Sequence, residues 1–243
     1  TLGFDIADAY NADRLLVGGN LNPSGTTTIS VPGVTALANG DYVLIEVTGA
    51  LWGSAVNFSV TSPTPAKVYS VVYASGTPNQ VVLRVADAAV LLTWAGAGNV
   101  WDVGTSPNWL DLGGASTVFN DNDPVIFDNT GAAQPVVNIT VPVSPVEVNV
   151  DASSDYAFTG AGHIAGAGAL RKAGFGSLTL SNANTFSGGV ALSAGTLNLN
   201  HPSALGTGAL MISGGTLDNT SGSPLALTSD NPQAWEGDFS FKG

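Results

Sequence analysis

The feature that most constrains this chain is a short phrase that returns every twenty residues. Gly-Ser-Leu-Thr-Leu ends at Leu180, Gly-Thr-Leu-Asn-Leu ends at Leu199, and Gly-Thr-Leu opens again at Leu217. Leu178, Leu197 and Leu217 are spaced 19 and 20 residues apart, and a second track, "GGVALS" near Leu192 and "GALMIS" near Ile212, recurs with the same step. A fixed period of this length is the mark of a solenoid, in which one coil cannot bury its apolar face alone and stacking creates a continuous core. Within a coil the alternation is period two, so Leu197 and Leu199 are predicted to point inward and Thr196 and Asn198 outward. The corners fall on Gly, Asn and Ser, and successive strands are predicted to pair in parallel, giving a parallel β-helix.

Composition agrees with an all-β fold and removes several classes of chemistry. Only 10% of the 243 residues are charged, against about 25% in ordinary soluble domains. The acids are fifteen Asp and three Glu. Asp favours turns and Glu favours helices, so the imbalance points to many turns and few helices. The net charge of −12 with six scattered Lys and Arg leaves no basic patch for nucleic acid. Cysteine is absent, which removes disulfides, thiolate metal sites and Cys nucleophiles together. No apolar run approaches the length of a membrane-spanning helix, and Thr1-Leu2-Gly3-Phe4-Asp5 does not read as a signal peptide. The sequence reads as a piece of something longer.

Three segments are expected. Residues 1–92 hold β-rich runs ("DRLLVGGNL", "TTTISV", "DYVLIEV", "VNFSV", "KVYSVVY", "QVVLRV") that suit a sandwich or the end or cap of a preceding β-helical block. Ala86 to Leu92 admits either a helical turn or a strand. Residues 93–150 form a Trp-rich β lead-in, with Trp94, Trp101 and Trp109 within sixteen residues. Residues 151–243 carry the repeat.

Candidate sites are few. Asp121, Asp123 and Asp128 offer hard oxygen ligands of the kind calcium takes, but the run lacks the Gly and distal Glu of an EF-hand loop, so turn formation is the favoured role. Trp94, Trp101 and Trp109 could stack on sugar faces or seal an open core end, and sealing is favoured. Trp52 and Trp235 read as ordinary packing residues. Asp218, Asp230, Glu236 and Asp238 could pair as glycosidase carboxylates, but nothing in the sequence sets two of them across a bond. Arg171-Lys172, the one adjacent basic pair, reads as decoration of a coil surface. His163 and His201 lie in turn-like runs with no nucleophile elbow beside them. Asn57, Asn138 and Asn219 begin glycosylation sequons, which matter only in a host that uses them. No catalytic, cofactor or metal residue is assigned.

The residues from Gly168 to Asp218 carry a resemblance. Leu170, Lys172, Gly174, Gly176, Leu178 and Leu180, then Asn184-Thr185-Phe186-Ser187-Gly188-Gly189, then Gly195-Thr196-Leu197, follow the order and spacing of the autotransporter-associated β-strand repeat, also called the passenger-associated transport repeat. The chain resembles that family over about fifty residues, with Phe186 where the family commonly has Tyr. The resemblance implies a right-handed parallel β-helix in a large bacterial surface or secreted protein, with no cofactor and no shared catalytic residues. The expected function is structural: part of an extracellular fibre or adhesin stalk, stacking end to end with other copies or neighbouring blocks. A carbohydrate-binding module acting on surface glycans is the alternative, and a β-helical polysaccharide-degrading enzyme the third reading.

Overall fold

The computed structural model describes residues 2–4, 6, 13–30, 37–60 and 67–243. It is all β: among the described residues the helical content is two single 3₁₀ turns, Ala55–Asn57 and Asn129–Gly131. The chain divides into two compact units, Thr1–Ala88 and Ala89–Gly243.

In the first unit, short strands stack in parallel before an antiparallel hairpin closes the stack. Leu2–Gly3, Thr27–Ser30 and Phe58–Val60 form one parallel sheet. In a second sheet Leu15–Val17 runs parallel to Gly40–Val47, and the hairpin Lys67–Ala74/Asn79–Asp87 lies antiparallel on the other side of that strand. Ile29, Leu44, Val47, Val81 and Leu83 are buried between the sheets. The expected runs form strands here with two adjustments. "VNFSV" starts as a 3₁₀ turn and becomes strand only from Phe58, and Val31, the end of "TTTISV", lies outside the described residues. Ala86 and Asp87 close a strand, and residues 88–91 adopt neither helix nor strand.

The second unit is the solenoid. One sheet stacks Leu92–Trp94, Val125–Phe127, Glu147–Asp151, Ala169–Ala173, Val190–Leu192, Leu210–Ile212 and Gln233–Trp235 in parallel. The other stacks Val100–Trp101, Val136–Ile139, Tyr156–Thr159, Ser177–Leu180, Thr196–Leu199, Thr216–Asp218 and Ser240–Phe241 in the same way. Like residues fall on like. Val148, Leu170, Val190 and Leu210 form one buried column, and Phe158, Leu180 and Leu199 another. The predicted phase holds at Leu178, Leu197 and Leu199, all buried, but Asn198, expected on the outward face, is buried as well, its Nδ2 donating to Thr179 Oγ1 of the preceding coil at 3.0 Å. Residues 93–150 take part in the same two sheets, so the Trp-rich segment supplies the first rungs of this solenoid.

One end of the solenoid differs from the other. Trp109–Leu110 lies antiparallel on Leu92–Trp94, and Ser116–Thr117 lies antiparallel on it in turn. A parallel stack grows by adding strands in the same direction, so this pair closes the first sheet at that edge. At the opposite end Gln233–Trp235 and Ser240–Phe241 are the outer strands of their sheets.

Candidate functional site

The corners of the coils, where Gly permits close approach, hold most of the polar chemistry. Gly195 has φ +68°, in the left-handed region, and a Cβ there would collide with the carbonyls of Gly174 and Gly176 and come within 2.6 Å of Lys172 Nζ. The glycines of the repeat phrase are therefore imposed by the distance between neighbouring coils.

Lys172 corrects the expectation of surface decoration. Alternation from Leu170 turns Arg171 outward, where it donates to Glu147 Oε1 at 2.6 Å in an exposed pair. The same alternation turns Lys172 inward, in the column with Val150, Leu192 and Ile212, and buries it to 1% exposure. Its Nζ donates to the corner carbonyls of Ala173 and Gly174 in its own coil, the latter at 2.9 Å, and to Ala194 of the next at 3.3 Å. Burial pulls its pKa down to about 8, with the carboxylates of Asp151 and Asp155 opposing. Asp155 accepts the Ser177 N–H at 2.7 Å, which holds its carboxyl below the usual range.

Asparagine side chains tie coil to coil, a role that the sequence reading did not assign. Asn184, almost fully buried, accepts from the Ile164 N–H at 2.9 Å and donates to the Ala204 carbonyl at 2.8 Å, so it joins the coil before to the coil after. Asn182 donates to the carbonyls of Gly160 and Gly162, and Asn231 repeats the arrangement on Gly206 and Gly208. Asn129 and Asn200 accept backbone N–H groups of the following coil at Ser153 and Thr220. The available signal was an Asn placed about one coil after a Gly-x-Gly corner.

The three aspartates offered for calcium are spent on the backbone. Asp121 accepts from the Ser144 N–H, Asp123 from Val90 and Asn120, and Asp128 from Thr130 as the cap of a 3₁₀ turn, all at 2.8 or 2.9 Å. No group of three or more His, Asp or Glu among the described residues is placed to hold a metal ion.

The tryptophans form a core plug, which overturns the sugar platform. Trp94, Trp101 and Trp109 are fully buried and meet one another edge to face at centroid distances of 5.0 and 5.3 Å, with Phe119, Phe127 and Phe158 packed around them at 5.4–6.0 Å, tilted or edge to face. A stacking platform needs an exposed ring face, and none of the three has one. Trp52 and Trp235 reverse their expectation as well, at 52% and 68% exposed. Trp52 donates its backbone N–H to the Leu21 carbonyl at 2.9 Å. Trp235 occupies the inward column beyond Ile212 in the outer strand, where the Phe239 ring meets it edge to face at 5.5 Å and leaves most of its surface exposed.

The remaining candidates do not assemble. Of Asp218, Asp230, Glu236 and Asp238, only Asp218 lines the apolar cavity of about 420 Å³ walled by Leu199, Leu210, Ile212, Leu217, Trp235 and Phe241. Asp218 itself accepts from the Asn219 N–H. His201 accepts the Ser203 N–H on Nδ1 within its turn, and His163 contributes its carbonyl to Val143. In the sequons, Asn57 and Asn219 already donate to the carbonyls of Pro23 and Ser223. Tyr156 is buried with its hydroxyl on the Asp128 carbonyl at 2.6 Å, and burial pushes its pKa up to about 12.

Comparison with known proteins agrees with this architecture. The Passenger-associated-transport-repeat family matches residues 170–199, the coil that contains Lys172, Asn182 and Asn184. A protein named "Adhesin BmaC autotransporter", from Brucella suis biovar 1 (strain 1330), is 27% identical over 258 residues, covering 86% of this chain. The chain spans 7% of that relative's length. No solved structure matches the chain.

Proposed function

We propose that this chain, whose residues 170–199 are a passenger-associated transport repeat, is a stalk section of a bacterial surface adhesin. The observation that carries the reading is the pair of seven-rung parallel ladders in Ala89–Gly243, with like residues stacked along the axis. Each rung adds about 4.8 Å of length and repeats the same hydrogen bonds, so length is gained without new chemistry. Asn and Asp side chains fasten neighbouring coils, and the outward row Ser177, Thr196 and Thr216 is small and uncharged. The role is mechanical and non-enzymatic, and the location is the outer surface of the cell. The relative's name, an autotransporter adhesin, supports both.

The finer proposal concerns assembly. The solenoid adds material at the face bounded by Gln233–Trp235 and Ser240–Phe241, where Trp235 and Phe241 are exposed around the apolar cavity. The occupant is a further coil from a neighbouring block or another copy. Electron microscopy of the protein from its native source, with intact mass on the same sample, tests the whole reading. Rods of uniform cross-section with a mass far above 24.4 kDa are expected. Compact single particles near that mass would overturn it.

A further inference from the structure

The first unit holds a constellation that a stalk role leaves unused. Asn39 immediately precedes the strand Gly40–Val47, Lys67 opens Lys67–Ala74, and Asp87 closes Asn79–Asp87, the strand that lies between the other two. Lys67 and Asp87 sit directly opposite each other in the antiparallel register. Lys67 Nζ donates to Asp87 Oδ1 at 2.5 Å and to Asn39 Oδ1 at 2.8 Å. Asn39 Nδ2 donates to Asp87 Oδ2 at 2.6 Å. One carboxylate thus holds an amine with one oxygen and a carboxamide nitrogen with the other, while the amine lies against that same carboxamide. The Lys67 side chain is only 16% exposed, so its amine is held in place.

We propose that Lys67 and Asn39 condense to an intramolecular isopeptide bond, with Asp87 relaying the proton. A nucleophile, an electrophile and a base in mutual hydrogen-bond contact are the arrangement that such a step requires. Asp87 Oδ1 takes a proton from the Lys67 ammonium. The freed lone pair on Nζ forms a bond to Asn39 Cγ, giving a tetrahedral centre. The Cγ–Nδ2 bond then breaks, its electron pair leaves with nitrogen, and that nitrogen takes one proton back from Asp87 and the second from Nζ. The products are a secondary amide and ammonium, with no oxidant or reductant involved. Hydrogen bonds from Lys67 and Asn39 hold the Asp87 carboxyl below its usual range, so it is ionised at neutral pH.

The position gives the bond a purpose. It joins Gly40–Val47, which carries the parallel pairing to Leu15–Val17, to the hairpin that closes the stack. A chain without cysteine has no disulfide available for that strap. A covalent tie over the 28 residues from Asn39 to Lys67 restricts the unfolded chain as a disulfide does.

The test is the intact mass of the full chain purified under native conditions, followed by a tryptic map. The expected protein is lighter than its sequence by one ammonia, and the map contains a branched peptide joining Asn39 to Lys67. Lys67→Arg and Asp87→Ala should show the full mass. Asn39→Asp should lose water in place of ammonia. Full sequence mass with normal cleavage after Lys67 overturns the proposal. So does ammonia loss without a branched peptide, which marks a cyclic imide at Asn39-Gly40. A cross-link that persists in Asp87→Ala overturns the relay assigned to that residue. The wild-type mass decides the main question whether or not a variant folds.

Discussion

Replacing Asn184 by Ala isolates the fastening of one coil to its two neighbours. The side chain satisfies a donor in the preceding coil, the Ile164 N–H, and an acceptor in the following one, the Ala204 carbonyl, and it is 3% exposed. Truncation leaves both backbone groups without that partner in a site closed to water. Each costs about 1–3 kcal/mol when left unmade, and releasing the Asn side chain returns less than about 1 kcal/mol of rotamer entropy. The expected loss is therefore about 3–4 kcal/mol. Asn184→Asp keeps the acceptor for Ile164 but sets a carboxylate against the Ala204 carbonyl, so it should be at least as damaging at pH 7 and milder in acid, where the protonated carboxyl donates again. Asn219, whose side chain bonds within its own exposed loop, is the control and should stay within about 0.5 kcal/mol. Urea unfolding followed by fluorescence reads this directly, because Trp94, Trp101 and Trp109 are buried in the same unit. An Asn184→Ala midpoint indistinguishable from the control would refute the claim that corner amides hold the coils together.

Lys172 gives the solenoid an alkaline signature. Its pKa is lowered from 10.5 to about 8, so between those values the unfolded chain holds a proton that the folded chain has released, and stability should rise with pH by up to about 3 kcal/mol. The rise should reverse above about pH 10, where unfolded tyrosine ionises and buried Tyr156, pushed to about 12, does not. Thermal melts from pH 7 to 11 check the curve, and Lys172→Met should remove the rising limb; a rise that survives in that variant refutes the assignment. Gly195→Ala forces a side chain into a left-handed site against the neighbouring coil and should cost at least about 2 kcal/mol, whereas Gly222→Ala, with φ +79° but open space, should cost about 1 kcal/mol in the same urea assay. Trp101→Ala empties the centre of the aromatic plug and should cost about 3–5 kcal/mol, while Trp52→Ala, half exposed, should stay within about 0.5 kcal/mol; equal costs would contradict the burial described.

Periodicity made the solenoid legible because its cause is local and repeated. Leu178 and Leu197 had to fall on one face once Gly-Thr-Leu recurred at the length of a coil. Non-periodic residues were harder to place, since their surroundings come from other coils. Lys172 looked like half of a surface pair by adjacency, yet counting two from Leu170 turns it inward. Period two was the stronger signal, and charge misled. Trp52 and Trp235 read as ordinary packing residues, but burial depends on a covering layer that no local pattern encodes. For Asp121, Asp123 and Asp128 the residue type did announce turn chemistry. Their partners, at Ser144, Val90 and Thr130, became visible only with the coils in place.

The same contrast explains how a chain so poor in charge can hold a buried lysine. At neutral pH a buried ammonium is costly unless its protons are bonded. In this solenoid the corner is where carbonyls gather, because the Gly turns there free them from ladder pairing, and Ala173, Gly174 and Ala194 present three to one Nζ. An Asn amide meets the same need at Gly160 and Gly162, and again at Gly206 and Gly208. Lys and Asn are thus two answers to one recurring requirement, a donor long enough to reach a turn in which glycine has no side chain to supply it. On that argument Lys172→Gln, which keeps two donors without the charge, should recover more stability than Lys172→Met at pH 7. Equal melting temperatures for the two variants would show that the corner carbonyls need no donor from this position.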